Sequence, residues 1–527
     1  MISKRVDLIE CYHMTQNKIE DNKRIARNTL LLYFRMMLIM GSSLYIARVL
    51  LNILGVEDYG VYNVVGGVVA MLSFVTNSLS AASSRFITFA LGKGDFKNQQ
   101  NVFANIQAIH LLFALTILLV AETIGLWFLN NYIQVPAGRE SAAFWVFQFS
   151  TVTAALSIVT VPYNASIIAN ERMDAFAYIS ILDASLKLGI VLILGNVPFD
   201  KLTFYALLLC CAQAVIQFIY ILYCKRHFKE TLVLPRIDKE QFKEILSFAG
   251  WTMNGNLAVM GNTQGLNILL NMFFGPAVNA ARAVAVQVQA AIQSFCVSFQ
   301  MALNPQLTKS YAQGDFTHMH QLLIASSKFS FFLILFLSLP ACLEAPVVLK
   351  WWLGVVPEHT VHFLRLIIWT SLIGALSNPI IISVHATGVI KKFQLIEGCT
   401  LLLTVPLAYI GLKVYPFAPE FVFVVLIIVE VVTQYVRLRI VLPMIQMKMR
   451  PYIMKVIIPL IKVTLTAPII PLVAYYYSEL NTINFFLICI LSVICCSVSI
   501  YMLGCTDGEK LFVRSKVQTL LSKVKNR

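Results

Sequence analysis

An apolar hairpin that occurs twice constrains this chain more than any single motif. Segments 28–52 and 61–91 are joined by the short turn Gly55-Val56-Glu57-Asp58-Tyr59-Gly60. The run from Leu50-Leu51-Asn52 to Gly94-Asp95-Phe96 returns as Leu269-Leu270-Asn271 to Gly314-Asp315-Phe316, displaced by 219 residues. From Asn to Gly is 42 residues in the first copy and 43 in the second. Each segment reaches the ~20 apolar residues that a helix needs to cross a bilayer. Backbone N–H and C=O groups in lipid must be satisfied within the segment, so such runs fold as helices. A β-barrel would show short alternating segments instead.

The same pattern runs through the whole chain. Fourteen spans are expected, near 28–52, 61–91, 101–129, 141–169, 176–195, 202–224, 246–274, 278–308, 319–349, 360–387, 393–412, 420–443, 453–477 and 483–503. Only 13% of residues are charged and 58% are hydrophobic, where a soluble domain carries about 25% charged residues. The fold class is therefore an all-α polytopic membrane protein. Its net charge of +15 does not point to nucleic acid, because the basic residues gather in every second loop. They lie before span 1 (Lys4, Arg5, Lys18, Lys23, Arg24, Arg27), after span 6 (Lys225 to Lys243), after span 12 (Arg437, Arg439, Lys448, Arg450, Lys455) and in the C-terminal tail. The opposite loops hold only Arg139, Lys201, Lys350 and Lys413. By the positive-inside rule both termini are cytoplasmic.

Pro162-Tyr163-Asn164-Ala165-Ser166 and Pro379-Ile380-Ile381-Ile382-Ser383 extend the repeat at a shift of 217. Spans 1–6 thus correspond to spans 7–12, and an even number gives both halves one orientation. Two six-helix lobes related by a pseudo-twofold axis along the membrane normal are expected around a central cavity. The domains read as a cytoplasmic tail (1–27), an N-lobe (28–224), an inter-lobe loop (225–245), a C-lobe (246–445), two extra helices (446–504) and a basic tail (505–527). Met14 is an alternative start, and no cleavable leader is visible. The eleven cysteines lie mostly in apolar spans without metal or disulfide spacing. Short far-side loops and the lack of a phosphate loop, metal cluster or nucleophile elbow argue against an enzyme, a metal or a cofactor.

Charges inside spans cost ~2.5–3.5 kcal/mol at mid-depth and are read as functional unless they snorkel or pair. Arg35 lies ~10 Å inside span 1, and Arg85 is expected at similar depth on span 2. Arg48 and Arg282 form a second tier toward the outer side, with Arg365 on span 10 a further candidate. Asp183 and Lys187 are four apart on one face of span 5, as an ion pair or a cavity-lining pair. Glu430 and Lys462 are expected to pair and dock the two extra helices. Glu397, close to the cytoplasmic end of span 11, is with Asn254 and Thr400 a secondary candidate for binding a coupling cation. Glu122 and Glu344 are expected to snorkel near outer ends. Spans 7 and 8 are rich in amides, among them Asn256, Asn262, Gln287 and Gln289, suited to sugar recognition or to helix packing.

Leu-Gly-Val-Glu-Asp-Tyr-Gly-Val-Tyr-Asn (54–63), Gly-Lys-Gly-Asp (92–95), fourteen spans and the six-plus-six repeat resemble the Wzx-type polysaccharide flippases of the multidrug/oligosaccharidyl-lipid/polysaccharide exporter superfamily. The resemblance implies two lobes in a V and a cargo of undecaprenyl-pyrophosphate-linked oligosaccharide, moved from the inner to the outer leaflet of a bacterial cytoplasmic membrane by alternating access. Related lipid II flippases use arginines on spans 1, 2 and 8 for the pyrophosphate, and Arg35, Arg85 and Arg282 fall on those spans. The implied partners are the polyprenyl-pyrophosphate glycolipid, membrane lipid and polysaccharide-assembly proteins. The coupling ion, H+ or Na+, stays open. Alternatives are a cation-coupled multidrug exporter, a lipid II flippase, a membrane glycosyltransferase or polymerase, and a structural partner in an assembly complex.

Overall fold

The computed structural model describes residues 28–511 and Arg514 apart from short stretches, of which 66–72 and 133–137 are the longest. The tail 1–27, nearly all of 512–527, Asn63 and most of the 55–60 turn lie outside the described residues. Every regular element among the described residues is helical. The long helices are α1 (Asn28–Gly55), α2 (Ser73–Lys93), α3 (Phe96–Leu129), α4 (Glu140–Ala169), α5 (Met173–Leu194), α6 (Lys201–His227), α7 (Lys239–Phe274), α8 (Pro276–Ala312), α9 (Phe316–Leu343), α10 (Thr360–Thr387), α11 (Lys391–Val414), α12 (Phe421–Met444), α13 (Met449–Tyr477) and α14 (Ile483–Gly504). Eleven are long and apolar enough to cross a membrane, and α2, α7 and α8 are the long helices outside that set. Two of those, α7 and α8, carry the amides picked out from the sequence, Asn256, Asn262, Gln287 and Gln289.

The expected ninth span is divided. α9 ends at Leu343, Glu344 follows, and a short helix Ala345–Leu353 begins. Glu344 is 2% exposed, so it is buried at the break and does not snorkel. Glu122 is exposed, as expected, and accepts a hydrogen bond from Gln148 Nε2 at 3.1 Å.

The internal repeat is written in the backbone. Gly55 and Gly94 adopt φ of 77° and 73°, and Gly275 and Gly314 adopt 82° and 75°. The left-handed turn at Gly138 (83°) recurs one position further along the repeat, at His359 (67°), and Glu171 (58°) returns as Gly388 (79°). Left-handed φ strains residues with a Cβ, so His359 and Glu171 hold a turn that glycine holds in the other half. The helix pairings repeat too. In the first half α4 packs on α6 and α3, and α5 on α6. In the second α10 packs on α12 and α9, and α11 on α12.

An ion pair repeats with the helices. Arg139, before α4, bonds Asp200, before α6, at 2.7 Å, and it also pairs with Asp58. The equivalent positions before α10 and α12 are His359 and Glu420, 2.6 Å apart. Partial burial works against ionisation of Asp200. Bonds from the Thr203 hydroxyl, the Thr203 amide and Arg139 outweigh it and hold the carboxyl below the usual carboxylate range.

The residues pack as two compact units: 1–257 with 301–315, and 258–300 with 316–527. The division runs through α7 and α8, at Leu257/Ala258 and Gln300/Met301, and not through the 225–245 loop. In the first unit that loop docks on α3: Asn105 Oδ1 accepts from the Asp238 amide at 2.8 Å, and Gln241 bonds Asn98 at 3.0 Å. In the second unit α14 packs on α9. Tyr452 bonds Ser327 at 3.2 Å, and Lys328, 0% exposed, pairs with Glu509 at 2.6 Å. The expected Glu430–Lys462 pair does not form. Lys462 is exposed, and α9 supplies these anchors instead.

Gly94 and Gly314 meet no heavy atom within 4 Å of an added Cβ, so only backbone strain opposes a side chain there. Gly94→Ala and Gly314→Ala should each cost about 1 kcal/mol. Thermal melting in detergent should show similar losses for both, and a much larger loss for one would show that the two turns are not equivalent.

Candidate functional site

In the first unit α2, α4, α5 and α6 enclose a cavity of about 310 Å³. Thr76, Asn77, Asn164, Asp183, Gln213 and Tyr220 line it with Ser and Thr hydroxyls. Polar side chains inside membrane helices face protein or water, since lipid offers them no partner. Asp183 accepts from Lys187 Nζ at 2.7 Å through Oδ2. Its Oδ1 is buried without a hydrogen bond. Asp183 is thus paired and lines the cavity, while Lys187 is not among the lining residues.

Arg35 adjoins this cavity. Its guanidinium carbon sits 4.3 Å from the Phe176 ring centroid, and its charge interacts with the Tyr220 phenol. Its Nε is buried and donates to nothing. Arg85 lies elsewhere in the unit. It is 8% exposed, with its guanidinium carbon 4.1 Å from the Phe86 centroid, 4.9 Å from Phe89 and 5.7 Å from Phe248. Glu244 on α7 neutralises it at 3.6 Å. Arg35 and Arg85 thus share no neighbour among these contacts. Near Arg85, α2 and α8 meet so closely that a Cβ on Gly92 would come 2.8 Å from Ala312. Lys309 of α8 bonds Glu171 at 2.8 Å. Asn254 on α7 is exposed, while Asn256 bonds Ser78 at 2.8 Å.

In the second unit Arg282 is 9% exposed. It donates to Asn267 Oδ1 and, at 3.5 Å, to the Thr263 carbonyl, and its Nε has no partner. Arg365 is half-buried and bonds the Cys342 carbonyl at 3.0 Å. Arg48 is exposed on α1. Gln289 bonds Ser371 at 2.7 Å, so this amide is used in helix packing.

The largest charge cluster of this unit was missed in the sequence. Arg437 was counted with the loop after span 12. It is inside α12 and 5% exposed. Its Nε donates to Glu397 Oε1 and its Nη1 to Glu430 Oε1, both at 2.6 Å. Nη1 also reaches Ser377 Oγ at 2.7 Å and Gln434 Oε1 at 3.3 Å. Glu397 therefore meets a guanidinium, and Thr400 bonds the backbone of its own helix instead. The legible signal was the seven-residue spacing of Glu430 and Arg437, which puts both on one helix face. Among the described residues no group of three or more His, Cys, Asp or Glu could hold a metal ion.

No protein-family model matches the chain. A curated relative, the uncharacterized membrane protein EpsK of Bacillus subtilis (strain 168), is 20% identical over 278 residues, 52% of this chain. The chain spans about half that relative's length, 54%. Solved structures share the fold. A MATE P26A mutant has a TM-score of 0.71 at 17% identity, over 81% of this chain and 96% of that one. An outward-facing multidrug resistance MATE family transporter of the MOP superfamily scores 0.70 at 16% identity over the same shares. A MOP superfamily transporter from Pyrococcus furiosus, described as having a binding pocket of reversed polarity, scores 0.68 at 15% identity, also over 81% and 96%. The chain has the two-lobed helical fold of these transporters.

Removing one partner of a buried ion pair strands the other charge and costs about 3–5 kcal/mol. Arg437→Leu should therefore sharply reduce folded yield and melting temperature. Adding Glu397→Gln and Glu430→Gln to it should restore much of both. An unchanged melting temperature in the single variant would show that the cluster does not hold the three helices together.

Proposed function

We propose that this chain is a membrane transporter that flips an undecaprenyl-pyrophosphate-linked oligosaccharide from the inner to the outer leaflet of a bacterial cytoplasmic membrane, with both termini cytoplasmic. One observation carries the reading. Arg35 and Arg282 lie in membrane-length helices with guanidinium nitrogens unused, and neither has a carboxylate partner among the described residues. A buried cation without a counter-ion is costly, and a diphosphate would supply that counter-ion. Guanidinium suits it because it is planar, bidentate and always charged. Arg48 and Arg365 also have no carboxylate partner among the described residues and are the next candidates. Arg85, already neutralised by Glu244, is assigned to holding α2 against α7. The fold supports a transporter, and the reversed polarity reported for the Pyrococcus furiosus protein supports cargo of opposite charge on this fold.

In this mechanism the pyrophosphate takes the unused Nε–H of Arg35 or Arg282 while the sugars occupy hydrated space and the polyprenyl chain stays in lipid. Rocking of the two repeats exposes the headgroup to one leaflet and then the other. A cation-coupled multidrug exporter is the second reading. Asp183, with one carboxylate oxygen free in the polar cavity, favours it.

Arg35→Ala and Arg282→Ala should each abolish export of the lipid-linked glycan, with protein abundance unchanged. Arg85→Ala should act through stability and lower abundance. Full export by the first two variants would remove the arginines from the mechanism. Native mass spectrometry of gently purified protein should show a bound polyprenyl-pyrophosphate sugar, lost in Arg35→Ala. Bulk phospholipid alone, together with drug efflux in vesicles, would establish the exporter reading instead.

A further inference from the structure

The cluster on α10, α11 and α12 has the wrong number of charges and the wrong number of hydrogens for a fully ionised set. Glu397 and Glu430 face one guanidinium, and all three side chains are largely buried, 9%, 13% and 5% exposed. Ionised, they leave one uncompensated negative charge inside membrane helices, where such a charge is expensive. The hydrogen bonds disagree in the same sense. Arg437 Nη1 carries two hydrogens and faces three acceptors: Glu430, Ser377 and Gln434. Ser377 spends its own hydrogen on Gln434 Oε1. One more hydrogen among these oxygens, on a carboxyl group, corrects the charge and supplies the third hydrogen that Arg437 Nη1 lacks.

Among the described residues no further charged partner of Glu397 or Arg437 is found. The other titratable and charged side chains on the helices packed against α12 are His362, Arg365 and His385 on α10, Lys391, Lys392, Cys399, Tyr409 and Lys413 on α11, and Arg450, Tyr452, Lys455 and Lys462 on the first half of α13. None of these interacts with Glu397 or Arg437, whose charged partners are each other and Glu430. On α12 itself Arg439 turns to the Tyr435 ring, 5.9 Å away.

We infer that the Glu397–Arg437–Glu430 cluster binds one exchangeable proton and is the place where a pH gradient acts on this chain. The second half of the statement rests on the transporter reading; the first does not. The proton belongs to the pair of carboxyls and not to either alone. When it is bound, the cluster is neutral and α10, α11 and α12 are held as one packed set. When it leaves, the surplus charge favours an arrangement that admits water to the cluster. Two carboxylates around a fixed guanidinium offer a sodium ion less than a proton, since Arg437 already occupies the space between them.

Infrared spectra of the full chain in lipid test this, wild type against Glu430→Gln and Glu397→Gln. The wild type should show, at neutral pH, a carboxylic acid C=O band that is missing from both variants, because either glutamine leaves a one-to-one ion pair. Absence of that difference band, or its persistence in either variant, overturns the proposal. Titration of the wild type provides a check independent of whether the variants fold. The band should disappear as one proton is released on raising the pH, and a band that never disappears also overturns the proposal. In vesicles with a pH gradient, both variants should keep binding the lipid-linked glycan and lose at least tenfold in its translocation rate. Unchanged translocation would overturn the gradient role. A wild type that moves no glycan while showing the band would defeat the flippase reading and leave the proton site standing.

Discussion

A polar helix cannot face lipid on all sides, and the rest of the molecule follows from three that are too polar to try. α2, α7 and α8 are long enough to cross a membrane, yet they are the long helices outside the apolar set. Their amides and hydroxyls need partners from other helices or from water. Part of the demand is met by packing, as in Asn256 to Ser78 and Gln289 to Ser371. Another part is met by leaving space, as in the cavity that Thr76, Asn77 and Ser80 of α2 share with α4, α5 and α6.

The two halves of the chain keep one backbone and change its chemistry. Left-handed turns recur in both halves, with glycine in one half and His359 or Glu171 in the other. The pair that ties α4 to α6 is arginine with aspartate, and the pair that ties α10 to α12 is histidine with glutamate. The first is permanently charged. The second is an ion pair only when the imidazole is protonated. Arg35 and Arg282 do not follow the repeat either: Arg35 adjoins a cavity in the first half, and Arg282 bonds an amide in the second.

Much of the fold was legible because lipid makes each constraint local. Span length, turn glycines and the repeat are readable from neighbouring residues, so each expected span has its helix. Pairing was less legible, because it depends on which face a residue occupies and what lies across from it. Lys462 and Glu430 are plausible partners by depth, yet Arg437 is on the same face of the same helix as Glu430 and takes it. Arg85 and Arg35 were expected at one depth, and they meet different neighbours, Phe86, Phe89 and Phe248 in one case and Phe176 with Tyr220 in the other. Arg437 itself was hidden by its company. With Arg439 and Arg450 nearby in the sequence it looked like part of a basic loop, while its helix continues to Met444.

The clasp between Lys328 and Glu509 gives the region after α14 a definite role. Lys328 is fully buried on α9, and its counter-ion comes from just beyond the last membrane helix. Shortening the protein to the end of α14 would look like tidying a surface tail. In electrostatic terms it deletes the anion that neutralises an ammonium group in the interior. A reporter or affinity tag joined after Glu509 keeps that anion; one joined before it makes an interior charge mutant without changing a single interior residue.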